Sequence, residues 1–366
     1  MNIIISGGGT GGHIFPAIAV AQEIKKLLPE ANILFVGAKA KMEMEKVPKA
    51  GFEIKGLWIS GLQRKKMLKN LLFPVKLFSS LAKSYFIIKK FKPGVVVAFG
   101  GYASGPVAQV AAWQGIPVIL QEQNSYPGIT NKLLAKKAKK ICVAYEGMEK
   151  FFPREKIIFT GNPVRKDISE TVKDINSSLR HFDLVLNKKT VLVFGGSLGA
   201  GSLNEALRLN LNKILEANPD VQFIWQVGKL YYDKYSKLDI SRDPRVKILP
   251  FIDRMDLAYA IADVVVCRAG ALTISELSLV GRAAILIPSP NVAEDHQTKN
   301  AMSLVKLNAA NMIKDSEIKD KLADELLDLL NDEQKIKTLE NNIKSLAKPN
   351  AARDIAEIVL ENAKTK

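Results

Sequence analysis

Apolar, largely β-branched residues recur along the first part of the chain in short runs: Asn2 to Ser6, Ile33 to Val36, Val95 to Phe99, Val118 to Leu120, Lys140 to Val143 and Ile157 to Thr160. Helix-length segments separate them, such as Phe15 to Leu28 after the first run. That alternation predicts βαβ units and a parallel sheet covered on both faces. After Gly161-Asn162-Pro163 the pattern lapses into a polar, aperiodic stretch that lasts to Lys189. It then restarts with Val191 to Phe194, Val221 to Gln226, Val246 to Leu249, Val264 to Cys267 and Ala284 to Ile287. From Glu317 onward the chain reads as wholly helical.

Two domains follow from the restart, and a chain of 366 residues is long enough to give each its own core. The expected division is 1–163 and 164–349, with the last segment, from Asn350, packing back across the boundary. The fold class expected is α/β, two Rossmann-like domains whose parallel sheets face each other across a cleft.

Residues 94–121 carry no charge, but five glycines and two prolines interrupt them. Strand, loop, helix and strand therefore fit better than a membrane span. The N-terminus runs straight into a strand without the basic and long apolar regions of a secretion signal, so a soluble or peripheral protein is expected. Cys142 and Cys267 each sit beside valines in apolar runs, a pattern of buried free thiols rather than a disulfide.

Charge sharpens this division. The net charge is +16, and residues 1–163, with 24 Lys+Arg against 9 Asp+Glu and no aspartate, carry +15 of it. A positive field on one half only predicts an anionic partner, phospholipid or nucleic acid. The basic half offers no reader motif and no basic run interleaved with aromatics, which argues against nucleic acid. Within it, Arg64-Lys65-Lys66-Met67-Leu68-Lys69-Asn70-Leu71-Leu72-Phe73 precedes a predicted helix whose lysines recur at Lys76, Lys83 and Lys90. The seven-residue spacing places these on one stripe, with Val75, Phe78, Ala82 and Tyr85 expected to face the core. An ordinary solvated lysine face explains that stripe alone, whereas Leu71, Leu72 and Phe73 beside the basic cluster favour docking on an anionic membrane.

Three strand ends are glycine-rich: Gly7-Gly8-Gly9-Thr10-Gly11-Gly12-His13, Phe99-Gly100-Gly101-Tyr102-Ala103-Ser104-Gly105 and Phe194-Gly195-Gly196-Ser197-Leu198-Gly199. Glycines admit backbone amides close to a phosphate, and the following helix start adds partial positive charge. The same glycines also serve as tight turns without a ligand. A nicotinamide fingerprint needs an acid at the end of the second strand to hold ribose hydroxyls, and Val36-Gly37-Ala38-Lys39 supplies none.

Seven ordered motifs, GGGTGGHIFPAIAVAQEI, FGGYASGP, QEQNSYPGITNK, TGNPVR, VFGGSLGA, CRAGALTISEL and AEDHQTKNA, resemble those of the MurG family of N-acetylglucosaminyltransferases. That resemblance implies a GT-B fold, inverting chemistry, no cofactor and no metal. It further implies transfer of N-acetylglucosamine from UDP-N-acetylglucosamine to lipid I, peripherally, at the cytoplasmic face of the anionic inner membrane. Other cell-wall synthesis proteins are further implied partners. By the same resemblance Thr10, Gly11, Gly12 and Asn124 line the donor sugar and acceptor side, and Arg165 and Ser197 contact the donor. Ile252 meets uracil through its backbone, and Ala271, Leu272, Thr273, Ile274, Ser275 and Glu276 cradle the nucleotide. Glu276, a carboxylate on a helix, is suited to both ribose hydroxyls.

Two residues compete for the base that inversion needs. His13 closes the first loop and is one of three histidines in the chain, and Glu122 is the alternative. The resemblance also implies a contact to the sugar from either His296 or Gln297. A UDP-N-acetylglucosamine 2-epimerase, which needs neither the basic-apolar segment nor the first glycine loop, and a noncatalytic nucleotide-sugar-binding protein, which predicts binding without turnover, are the alternatives.

Overall fold

A computed structural model of the chain describes residues 1–61, 71–165, 168, 174–196 and 198–364. The basic segment Arg64 to Asn70 and Ser197 lie outside the described residues. Two compact units form, Met1–Arg165 with Lys348–Lys366, and Lys166–Ala347.

The first unit is a seven-stranded, wholly parallel sheet of β1 (Asn2–Ser6), β2 (Asn32–Ala38), β3 (Glu53–Leu57), β4 (Val95–Ala98), β5 (Val118–Glu122), β6 (Lys140–Val143) and β7 (Ile157–Phe159). Their order is β3-β2-β1-β4-β5-β6-β7. The valines and isoleucines of β1 and β4 are wholly buried because both faces of the sheet are covered. On one face β1 and β4 pack with helix α1 (Gly11–Leu27) and the C-terminal helix Ala351–Glu361. The other face is covered by α3 (Phe73–Phe91) and α4 (Ser104–Trp113). Helix α2 (Glu43–Lys49) follows β2, and α5 (Ile129–Leu134) follows β5.

The second unit repeats the plan with six parallel strands: β8 (Lys189–Phe194), β9 (Val221–Gln226), β10 (Val246–Leu249), β11 (Val264–Cys267), β12 (Ala283–Leu286) and β13 (Asn311–Met312), ordered β10-β9-β8-β11-β12-β13. Both sheets change winding direction beside their first strand, between β1 and β4 and between β8 and β11. Open α/β sheets bind ligands outside the carboxyl ends at such switch points. The loops after these four strands contain all three glycine-rich motifs and the Ala271–Glu276 run.

Strands β3 and β13 were not anticipated from the sequence. Both lie at sheet edges, where one side needs no apolar face, so Glu53 and Lys55 are tolerated and the apolar signal fades.

Helix α3 reverses the expected facing. Val75, Phe78 and Tyr85 are 55%, 76% and 44% exposed, and Ala82 is exposed too. The core contact instead comes from Leu77, Leu81, Ile87, Ile88 and Phe91, with Ser80 and Ser84 buried between them. Lys76, half-buried, and Lys83, exposed, reach back to the chain: Lys76 Nζ donates to Ser60 Oγ at 2.9 Å and Lys83 Nζ donates to the Gly56 carbonyl at 2.8 Å. Lysine stems lie on apolar surface while the ammonium finds an oxygen, so a lysine stripe does not mark the water side of a helix. Burial, then the charges of Lys39 and Lys55, lower the Lys83 ammonium below its ordinary range. Among the described residues no helix is long and apolar enough to cross a membrane.

Candidate active site

The first glycine turn is built on packing against the chain itself. Glu43, wholly buried at the start of α2, accepts from the Gly9 amide (3.1 Å to Oε2, 3.3 Å to Oε1) and from the Ala38 amide at 2.9 Å. A Cβ on Gly8 would lie 2.1 Å from the Glu43 carboxylate, so only glycine leaves room for it. The second glycine turn closes over the first: a Cβ on Gly101, at φ +83°, would lie 2.3 Å from the Gly8 carbonyl oxygen. Thr10 sits in extended conformation ahead of α1, and the amides of Gly11 and Gly12 open that helix with no carbonyl a turn before them.

His13 Nδ1 lies 3.0 Å from the Gly8 carbonyl oxygen and 3.1 Å from Thr10 Oγ1. A carbonyl only accepts, so Nδ1 carries the ring proton and Nε2 is the basic nitrogen of the neutral imidazole.

Glu122 ends β5 with 2% exposure, and both carboxylate oxygens are used. The Asn124 amide (3.0 Å) and Asn124 Nδ2 (3.3 Å) donate to Oε1, while Asn131 Nδ2 (2.9 Å) and the Gly128 amide (3.1 Å) donate to Oε2. Burial pushes this carboxyl up, and the same four donors draw it back. The arrangement anchors the 124–128 loop and presents Asn124; it does not favour Glu122 as the alternative base. Gln121 Nε2 donates to Asn162 Oδ1 at 2.9 Å, and Asn162 Nδ2 donates to the Gln123 carbonyl at 3.0 Å, tying the Gly-Asn-Pro segment to β5. Arg165 follows that segment, belongs to the first unit and holds its guanidinium 6.0 Å from the Phe15 ring centre.

In the second unit, Ala271–Val280 forms a helix entered from Gly270 in extended conformation. Ala271, Leu272 and Thr273 supply its first-turn amides, Ile274 is 4% exposed and packs inward, and Ser275 Oγ donates back to the Ala271 carbonyl at 3.0 Å. Glu276 receives the Tyr259 hydroxyl on Oε2 at 3.0 Å. Tyr259 is wholly buried, its ring set edge-on to Phe194 at 6.2 Å.

Ile252 is 5% exposed and its amide donates to Gln226 Oε1 at 2.8 Å, so its carbonyl rather than its N–H is the group left for a ligand. Gln226 Nε2 in turn donates to the Gly196 carbonyl at 3.0 Å, linking the loops after β8 and β10. Gln297 accepts from the Ser289 amide on Oε1 at 2.8 Å, which leaves its NH₂ as the donor end, while His296 is the first residue of helix His296–Val305. Arg268 donates to Asp315 Oδ1 (2.5 Å), Ser202 Oγ (2.6 Å) and the Ile287 and Pro288 carbonyls (3.1 and 3.2 Å), joining the strand ends around this site.

Cys142 and Cys267 are both free and buried, and burial raises the Cys142 thiol to about 12. The sequence reading missed Glu43, Gln226, Tyr259 and Arg268. Glu43 lies five residues beyond Ala38, on a helix rather than at the strand end where an acid was sought.

Family models match both halves of the chain. The Glycosyltransferase family 28 N-terminal domain matches residues 3–143 and the Glycosyltransferase family 28 C-terminal domain residues 190–358. The UDP-N-acetylglucosamine–N-acetylmuramyl-(pentapeptide) pyrophosphoryl-undecaprenol N-acetylglucosamine transferase of Flavobacterium psychrophilum is 54% identical over 98% of this chain and 96% of its own. The chain belongs to the MurG family. The crystal structure of Acinetobacter baumannii MurG superposes with a TM-score of 0.77 at 28% identity, covering 98% of this chain and 99% of that one. A UDP-N-acetylglucosamine 2-epimerase from Neisseria meningitidis, solved with UDP-N-acetylglucosamine, reaches 0.69 at 14% identity over 99% of this chain and all of its own. That likeness shows the shared GT-B fold alone, whereas the transferase match places this chain in the MurG family over nearly its whole length.

Proposed function

We infer that this protein is an inverting glycosyltransferase that moves N-acetylglucosamine from UDP-N-acetylglucosamine onto lipid I, giving lipid II for peptidoglycan. The observation that carries the reading is the near-complete, 54%-identical match to a curated transferase of that name.

The site residues divide by role between the two units. In the second unit Glu276 takes the ribose hydroxyls, the amides of Ala271, Leu272 and Thr273 take phosphate oxygens, the Ile252 carbonyl accepts from uracil N3–H, and the Gln297 NH₂ donates to the sugar. Ser197 and Arg165 add donor contacts. In the first unit Thr10, Gly11, Gly12 and Asn124 hold the acceptor beside His13. His13 Nε2 removes the proton of the muramoyl hydroxyl as its oxygen bonds to C1 of the donor sugar. The C1–O bond to phosphate breaks, its electron pair leaves with UDP, and the imidazolium later returns its proton to water.

The exposed face of α3 suits the membrane side of this reaction. Leu71, Leu72, Val75, Phe78, Tyr85 and Phe86 stand out from the protein, with exposed Lys89, Lys90 and Lys92 at the helix end. Apolar side chains buried among headgroups and lysines drawn to an anionic leaflet give reversible docking, so the lipid pyrophosphate is met at the bilayer surface.

The test is incubation with UDP-N-acetylglucosamine and a short-chain lipid I analogue, following disaccharide product and UDP release. His13→Ala should lose turnover by about 100-fold or more with UDP affinity unchanged. Near-normal turnover of that variant removes His13 as the base, and absence of disaccharide product with the wild type removes the whole reading.

A further inference from the structure

One peptide group connects Glu43 to His13. The Gly9 amide donates to the Glu43 carboxylate at 3.1 Å, and the Gly8 carbonyl, the other end of the same peptide, accepts from His13 Nδ1 at 3.0 Å. The carboxylate is wholly buried, and Gly8 lacks the Cβ that would occupy its place. An ionised acceptor on the N–H draws the peptide's electrons toward its carbonyl oxygen, and bonds chained in this way strengthen one another at low dielectric. A more negative Gly8 oxygen holds the Nδ1 proton more firmly, fixes the tautomer and makes Nε2 a better base. Carboxylates bonded directly to a catalytic or metal-bound imidazole do the same work.

The geometry points to a carboxylate–peptide–imidazole chain in which Glu43, acting through the Gly8–Gly9 peptide, orients and polarises His13 as the base of the transfer. Glu43 is thus a positioning residue, and the proposal rests on the assignment of His13. It also gives the first glycine turn a different purpose from a phosphate cradle, since its Gly9 amide is already committed to an internal anion. Among the described residues, other ionisable side chains on the strand-end loops of this unit include Lys39 and Lys41 after β2, Tyr102 after β4, Glu122 at the end of β5, Glu146 after β6 and Arg165 after β7. Glu122 bonds to Asn124, Gly128 and Asn131, and Arg165 lies over Phe15, whereas Glu43 and His13 share the Gly8–Gly9 peptide.

The experiment compares the full-length wild type with Glu43→Gln. Glutamine is isosteric: its Oε1 keeps the Ala38 bond and the longer, 3.3 Å Gly9 contact, while the charge is removed and an NH₂ replaces the Oε2 acceptor that the Gly9 amide meets at 3.1 Å. His13 is titrated by NMR through its ring carbon and nitrogen shifts, and kcat and UDP affinity are measured on the same samples. The expected result is a His13 titration midpoint lower by about half a pH unit, kcat lower by about tenfold, and UDP affinity within twofold of wild type. An unchanged His13 midpoint overturns the proposal, because a carboxylate that only braces the loop has no reason to move it.

The wild type alone gives a second readout if Glu43→Gln does not fold. The Gly9 amide proton must titrate with His13, and a Gly9 resonance blind to that titration overturns the proposal equally. The two readings separate cleanly: a His13→Ala enzyme that still turns over removes the base, while the NMR midpoints decide the chain from Glu43 regardless of turnover.

Discussion

Replacing Tyr259 with phenylalanine tests the donor site through one hydroxyl. The ring stays, wholly buried against Phe194, so packing is preserved and only the 3.0 Å bond to Glu276 Oε2 is lost. A hydrogen bond to a charged group is worth about 1.5 to 3 kcal/mol. Glu276 is only half-buried, so water replaces part of that, and about 0.5 to 1.5 kcal/mol remains as the cost of an unrestrained carboxylate. UDP affinity should therefore fall about 2- to 12-fold. On the proposed ribose contact, Glu276→Ala removes both bonds, at about 2 to 4 kcal/mol, and should weaken UDP by about 30- to 1000-fold.

The assay is calorimetric titration with UDP and with 2′,3′-dideoxy-UDP. Tyr259→Phe should weaken UDP and leave the dideoxy analogue nearly unaffected, and it should have no further effect on UDP when Glu276 is already alanine. Equal weakening of both ligands by Tyr259→Phe, or additive losses in the double variant, refutes the reasoning, since the hydroxyl is then acting on something other than the ribose contact.

Two further outcomes follow from the first unit. Burial raises the Glu122 carboxyl above its ordinary 4.5, so the folded protein keeps that proton to higher pH than the unfolded chain. Its contribution is fully present below about 4.5 and is lost as pH rises through the folded value. Urea midpoints of wild type minus Glu122→Gln should fall with pH over that window, and a difference that rises contradicts the assignment. Replacing Leu72, Phe78 and Phe86 together with serine should leave thermal stability unchanged, because all three are more than half exposed, yet weaken binding to anionic vesicles by at least about 100-fold. Unaltered vesicle binding removes α3 as the docking face.

The central strands were legible because covering both faces of a parallel sheet demands unbroken apolar runs, as in Ile3 to Ile5 and Val264 to Val266. The edge strands β3 and β13 escaped because that demand is relaxed at an edge. Helix α3 was placed correctly and turned the wrong way. Its period is the same whichever stripe faces inward, and the assumption that lysine marks the water side chose wrongly when Lys76 and Lys83 had oxygens to reach on Ser60 and Gly56. Glu276 was named through its motif, whereas the buried Tyr259 that bonds to it sits 17 residues away on another element and gives no local signal.

Glycine and strand-end signals pointed to the segments that follow the switch-point strands, but not to what fixes them. In each unit a buried polar side chain from a neighbouring element ties those loops in place. Glu43 from α2 joins Gly9 to Ala38, and Gln226 from β9 joins Gly196 to Ile252. The Gln226 amide has a single workable orientation, because the Gly196 carbonyl only accepts and the Ile252 amide only donates. Such ties commit the Gly9 and Ile252 amides before any substrate arrives. A glycine-rich strand end in this fold is therefore better judged by which of its amides the chain has already claimed than by how many glycines it contains. By that measure the Gly9 amide is closed to a phosphate, whereas the helix starts at Gly11–Gly12 and Ala271–Thr273 keep first-turn amides that no preceding carbonyl reaches; the proposed UDP phosphates fall to the second of these, and the Gly8 carbonyl holds His13 beside the first.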